Sequence, residues 1–384
     1  MLLTFDGKNK KQTLPSVMVA ASEIKPVITK QRSAWPIHLI GPKSLRYFEF
    51  QDRKVILLGD RHDTMEFSCG ASCTSCNLAK YRQHLDRLNT GCDNYINAGE
   101  KAPYEKELAS LSQEPRNPLE CVFVTDWLMQ IAMKSPECVD VFIEHSPDNQ
   151  AILGKSNNYL DAVRNTFCGC LKASRVSTYN AATKCYELFP SLRLHMVDIR
   201  NDFFEDTDSV PLKARMTWLL HFITKLDILP PYNYDTEMGT YIQTLQKLFS
   251  KSLFATDPAA FIAAWQMTIS QLMDTRGVKY IVTNTTFTFN LFIFDLYASL
   301  RMCVRHWTSR DTVLDSIPRV RTMGARCRDQ TFPRQIILYA GERHIEAIAA
   351  FFTNMFGNQP LDEQSTDEKC ILLDNTILPP FCFL

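Results

Sequence analysis

The chain has 384 residues, of which 45% are hydrophobic, and its 42 basic and 42 acidic residues leave no formal net charge. That apolar content is enough for a sizeable core in one large domain or two ordinary ones, so disorder over most of the chain is excluded. Zero net charge also excludes a global basic field that would hold nucleic acid or an anionic membrane.

Residues 1–44 place Pro15, Pro26, Pro36 and Pro42 among lysines and short apolar pieces, which suits an extended arm lying on the main body. The first dozen residues turn polar at once, without the apolar core and cleavage site of a secretory signal. From Leu45 to Leu384 a single α/β domain is expected. Alternation in residues 46–50, a turn at Gln51, Asp52 and Arg53, and an apolar run over 54–58 predict a hairpin that ends in a buried strand before Gly59. Three further short apolar segments end abruptly in polar residues: 139–143 before Glu144, 192–197 before Asp198, and 335–340 before Gly341. Helical patterns over 123–133 and 159–171 separate them. The architecture predicted is therefore a largely parallel central sheet with crossover helices, whose functional groups gather at the carboxyl ends of the strands.

Residues 211–307 read as helical, an inserted layer or lid over the site ahead of the last strand. One helix there has clear punctuation: Asp257 as N-cap, Pro258 in the first turn, an apolar face through Phe261, Trp265 and Ile269, and Gly277 at the end. The most hydrophobic stretch, 287–304, contains Asn290, Asp295 and Arg301, each costly at the centre of a bilayer, so a buried helix is expected and not a transmembrane span. Thirteen scattered cysteines, an odd number in a chain that needs no covalent staples, favour a reducing, cytoplasmic compartment.

The chemistry centres on two turns, Gly59-Asp60-Arg61-His62 and Gly341-Glu342-Arg343-His344, each behind a predicted strand. With 13 Gly and 8 His, chance gives about 0.3 Gly-x-x-His pairs in a chain this long. Glu144 stands at the equivalent point of the strand between them, where a carboxylate needs a partner. Two imidazoles and a carboxylate from three strand ends form a three-ligand set suited to a divalent metal such as Zn, Mn, Co or Fe. Asp60, Asp63 and Glu342 would then orient the ligands or act as base, and Arg61 and Arg343 would neutralise a substrate carboxylate or a developing oxyanion. A metal-free version has His62 or His344 as general base, oriented by Glu144. The plain structural alternative makes each His a helix N-terminal or core residue satisfied by hydrogen bonds.

Strand-Gly-x-x-His near the start, a strand-borne Glu and a second strand-Gly-x-x-His near the end resemble the TIKI/TraB group, read as metalloproteases, and its relatives the ChaN-like haem-iron proteins and erythromycin esterases. The likeness covers residues 46–200 and 331–384. It implies His62, Glu144 and His344 as the central site residues and metal ligands, Gly59 and Gly341 as their turn glycines, and a peptide or ester carbonyl as the substrate. It also marks Asp198 and Arg200, which close another strand, as lesser candidates. The texture of the chain, with its many cysteines and proline-rich arm, is similar to that of proteins from large DNA viruses.

Two other functions fit parts of the sequence. A non-catalytic protein could keep the fold and use the N-terminal arm to contact assembly partners, for instance in a virion. Alternatively, Cys69, Cys73 and Cys76 have the spacing with which radical-SAM enzymes hold an iron–sulfur cluster, although Ser75 stands where those enzymes usually carry an aromatic residue. With His84 or Cys92 the same cysteines suit a structural zinc. Cys168 and Cys170 are spaced too tightly to chelate well alone.

Overall fold

In a computed structural model of the chain, the structure describes residues 37–62, 121–145, 158–167, 189–199, 212–224, 236–276, 285–305, 324–330, 332–366 and 369–373. All of them belong to one unit, Ala34–Leu384. The strands are β1 (Ile37–Ile40), β2 (Ser44–Phe50), β3 (Arg53–Asp60), β4 (Cys121–Phe123), β5 (Val139–Ile143), β6 (Leu192–Met196), β7 (Gln335–Gly341), β8 (Asp362–Ser365) and β9 (Cys370–Leu373). The α-helices are α1 (Val124–Lys134), α2 (Tyr159–Thr166), α3 (Leu212–Thr224), α4 (Thr236–Lys251), α5 (Pro258–Arg276), α6 (Thr285–Met302) and α7 (Glu342–Phe356).

Six strands form the central sheet in the order β6-β5-β7-β3-β2-β8. The first four run parallel, while β2 and β8 pair antiparallel at one edge, so the sheet is mixed where a largely parallel one was expected. At that edge β2 forms the hairpin expected from the sequence, and β8 is the addition. The β2–β3 hairpin turns through Gln51 and Asp52, both at positive φ (45° and 62°), which matches the twist of a tight hairpin and forces antiparallel pairing. A second sheet, β4-β1-β9, lies outside the central one. Its middle strand β1 comes from the stretch expected to be an arm, and Leu39 and Ile40 are buried in the body. Residues 1–36 of that stretch lie outside the described residues.

Alternation along the strands sorts their side chains into two cores. Val55, Leu57, Ile336, Leu338 and Phe142 face the helical layer α3–α7. Ile56, Leu58, Val141, Ile337 and Tyr339 face α1, α2 and the small sheet. The helical section thus packs on one face of the sheet, and β7 is followed by β8 and β9 instead of being the last strand. Asp257 caps α5 as expected, its Oδ1 accepting from the amide of Ala260 at 2.9 Å. Trp265 on α5 stacks on Phe351 of α7 at 4.3 Å, which ties α7 to the layer. Gly357, left-handed at φ 70°, stops α7. Among the described residues no helix is long and apolar enough to cross a membrane. Cys138, just ahead of β5, is joined to Cys327 by a disulfide, a pairing the scatter of the cysteines did not suggest.

Candidate functional site

Strands β5, β7 and β3 are adjacent and parallel, with Ile143 beside Tyr339 and Asp60 beside Gly341, so their carboxyl ends share one rim of the sheet. Glu144 follows β5 and is held at three points. Its amide donates to the Tyr339 carbonyl at 3.2 Å, its own carbonyl accepts from Arg164 Nε at 2.9 Å, and its Oε2 accepts from the Gly341 amide at 2.8 Å. Arg164 is steadied in turn by Asp161 on the same helix, α2.

The two histidines of the Gly-x-x-His turns flank this carboxylate. His62 Nε2 lies 3.4 Å from Glu144 Oε2, and His344 Nε2 lies 3.7 Å from Glu144 Oε1. His344 sits in the first turn of α7, fully buried, with its ring against Phe294 and its Nδ1 2.6 Å from Asp295 Oδ1 on α6. His62 is different in exposure: 47% of its side chain reaches solvent. The hydrogen bond to Glu144 raises the His62 pKa above its usual value, against the opposing effect of partial burial, and the charges of Glu144 and Asp60 add to the rise.

The glycines of the two turns have a reciprocal explanation. A Cβ on Gly341 would stand 2.6 Å from His62 Nε2, so the missing side chain of the second turn makes room for the imidazole of the first. A Cβ on Gly59 would overlap the carboxylate of Glu342 and the hydroxyl of Ser44, so the missing side chain of the first turn makes room for the acid of the second. Gly341 has an ordinary φ of −57°, so space and not backbone freedom requires glycine there. Glu342 accepts a hydrogen bond from the Ser44 hydroxyl, and burial pushes its carboxyl pKa upward.

The remaining expected site residues divide. Asp60 is buried, its Oδ2 accepting from the Leu160 amide at 3.2 Å in the first turn of α2, where a carboxylate also suits the helix dipole. Arg61 and Arg343 are exposed beside the two histidines in sequence. Asp198 follows β6 and is half-buried, its amide donating to the His145 carbonyl at 3.1 Å. Asp63, Arg200, Cys69, Cys73, Cys76, His84, Cys92, Cys168 and Cys170 lie outside the described residues.

Sequence reasoning passed over Arg164 and a second buried polar cluster. Asp140 on β5 accepts from Arg193 Nε and Nη2 at 2.5 and 2.9 Å and from His195 Nε2 at 2.7 Å, while Arg301 Nη2 donates to His195 Nδ1 at 2.9 Å. An imidazole that donates to a carboxylate and accepts from a guanidinium is neutral, and burial holds the His195 pKa down at about 4 although Asp140 pulls it upward. Burial works against the Asp140 carboxylate, but the charge of Arg193 and the hydrogen bonds from His195 and Arg193 outweigh it and keep its pKa at about 2. The available signal was charge in an apolar segment: Asp295 and Arg301 interrupt the most hydrophobic stretch of the sequence, and each has found a histidine.

Two imidazole nitrogens and a carboxylate are the donor types a divalent metal takes, and they approach from three strand ends. Among the described residues, however, no group of three or more His, Cys, Asp or Glu side chains is drawn tightly enough together to hold a metal ion as it stands. His62, half-exposed at its strand end, is the member with room to move. No protein-family model matches the chain, and no curated protein or solved structure shows significant similarity to it.

Proposed function

We propose that His62, Glu144 and His344 form the centre of a metal-dependent hydrolase acting on a peptide or ester carbonyl, as in the TIKI/TraB group that the motifs resemble. The observation behind this reading is the position of Glu144, a buried carboxylate with one imidazole Nε2 facing each of its oxygens. In the metal-bound protein these three side chains would be the ligands, and the ion would supply a water of lowered pKa and polarise the carbonyl under attack. Glu144 is fixed by the Gly341 amide and the Arg164 guanidinium, so it needs no reorganisation to hold its place. His62 lies on the solvent side, where substrate would enter. Arg61 and Arg343, exposed next to the two histidines, suit a substrate with a carboxylate near the scissile bond.

The raised pKa of His62 supports a second, metal-free reading, in which Glu144 holds His62 as the proton acceptor toward water. Metal content and hydrolysis of peptide and ester panels by the wild type, His62→Ala and His344→Ala decide the matter. Bound metal lost in both variants together with activity supports the first reading. Activity without metal, abolished by His62→Ala, supports the second. Metal content and activity unchanged in both variants remove the two together.

A further inference from the structure

We infer that Asp295 is the positioning residue that fixes the ring proton of His344 on Nδ1 and so turns its Nε2 toward Glu144; this goes beyond, but rests on, the reading of His344 as a site residue. Asp295 Oδ1 and His344 Nδ1 are 2.6 Å apart, and both side chains are almost completely buried. An ionised carboxylate only accepts, so the hydrogen between them belongs to Nδ1. Imidazole in water prefers its proton on Nε2, so this contact imposes the less common form. With Nδ1 carrying the proton, the neutral ring presents a lone pair on Nε2 to Glu144 Oε1, 3.7 Å away. The opposite tautomer would direct an N–H at Glu144 instead. A carboxylate behind a histidine in this way is a recurrent means of setting tautomer and raising ligand basicity.

The mounting of Asp295 supports the same role. Its helix, α6, is secured at the far end by Arg53, whose guanidinium donates to the carbonyls of Met302 and Val304 at 3.0 and 2.8 Å, where the helix dipole favours a cation. Arg301, further along the same helix, is tied through His195 to Asp140 and Arg193 on the central sheet. Phe294, next to Asp295, packs on the His344 ring with centroids 4.0 Å apart. The sheet therefore holds both ends of the contact: His344 through β7, and Asp295 through α6.

The test is nitrogen-15 NMR of the His344 ring in the metal-free, full-length protein, compared with Asp295→Leu and Asp295→Glu. In the wild type, the neutral ring carries its proton on Nδ1. Asp295→Leu moves the proton of the neutral ring to Nε2 and lowers Zn²⁺ affinity by about 10–100-fold, the usual effect of losing such an outer partner. Asp295→Glu, which keeps a carboxylate, returns the proton to Nδ1. An unprotonated Nδ1 in the wild type, or ring signals unchanged by Asp295→Leu, overturns the inference; the wild-type spectrum alone is sufficient for this if the leucine variant does not fold. Because the ring proton is read without metal, a failure of the metal reading leaves this result standing, and the converse also holds.

Discussion

Replacing Gly341 with alanine should separate the site from the fold. The backbone of Gly341, at φ −57° and ψ 143°, is one that alanine adopts without strain. Its new Cβ would lie 2.6 Å from His62 Nε2 and 3.4 Å from Glu144 Oε2, so Glu144 can stay and the imidazole must withdraw. His62 has somewhere to go, since 47% of its side chain already reaches solvent. Losing glycine stabilises by roughly 0.4–1 kcal/mol through the unfolded chain. Losing a half-exposed contact with Glu144 removes about 0–1 kcal/mol. Denaturant unfolding of Gly341→Ala should therefore agree with the wild type to within about 1 kcal/mol, while Zn²⁺ affinity measured by chelator competition falls on the order of 100-fold or more because a ligand has been displaced. Unchanged affinity would refute the placement of His62 in the site. A loss of several kcal/mol would refute the argument that space for His62 is what requires glycine.

Gly59→Ala should behave in the opposite way. Its Cβ meets the packed Glu342 carboxylate and Ser44 hydroxyl, so stability falls by about 1–3 kcal/mol in the same unfolding assay. The Asp140 cluster predicts a specific acid sensitivity. Folded His195 resists the proton that an unfolded imidazole takes up near 6.5, so the stability present above that pH is lost as pH falls from 6.5 toward about 4, by on the order of 3 kcal/mol in all. Asp140, held at about 2 against an unfolded 3.8, adds a further loss below pH 3.8, and His195→Gln should abolish the first phase in urea titrations while sparing the second. Reducing the Cys138–Cys327 disulfide, or Cys138→Ser, should lower stability by about 2–5 kcal/mol in thermal or denaturant unfolding, since it closes a 189-residue separation.

The elements that carry the site were legible because their signals are local. Apolar runs stopped by Gly59, Glu144 and Gly341 are strands buried on both faces, and such runs differ from their flanks without knowledge of any partner. The N-cap at Asp257 and the positive-φ turn at Gln51 and Asp52 are likewise written in a few adjacent residues. Pairing across the sequence was harder to read. The antiparallel β2 belongs to the hairpin that the sequence predicts, but the addition of β8 depends on register with a remote segment, and β8, Asp-Glu-Gln-Ser, has none of the apolar content that marks a strand. The reciprocal packing of His62 against Gly341 and of Glu342 against Gly59 is a contact between ends of the chain some 280 residues apart, within the 384 of the whole. Asp295 was conspicuous as a charge in an apolar helix, but the same argument about unpaired charge that removed a membrane span did not say which residue would satisfy it.

If two imidazoles from distant turns serve one ion with the carboxylate between them, Zn²⁺ titrated into the metal-free protein shifts the ring signals of His62 and His344 together. Both rings then saturate at one equivalent, and Glu144→Gln abolishes the joint response. Rings that respond separately, or not at all, would contradict it.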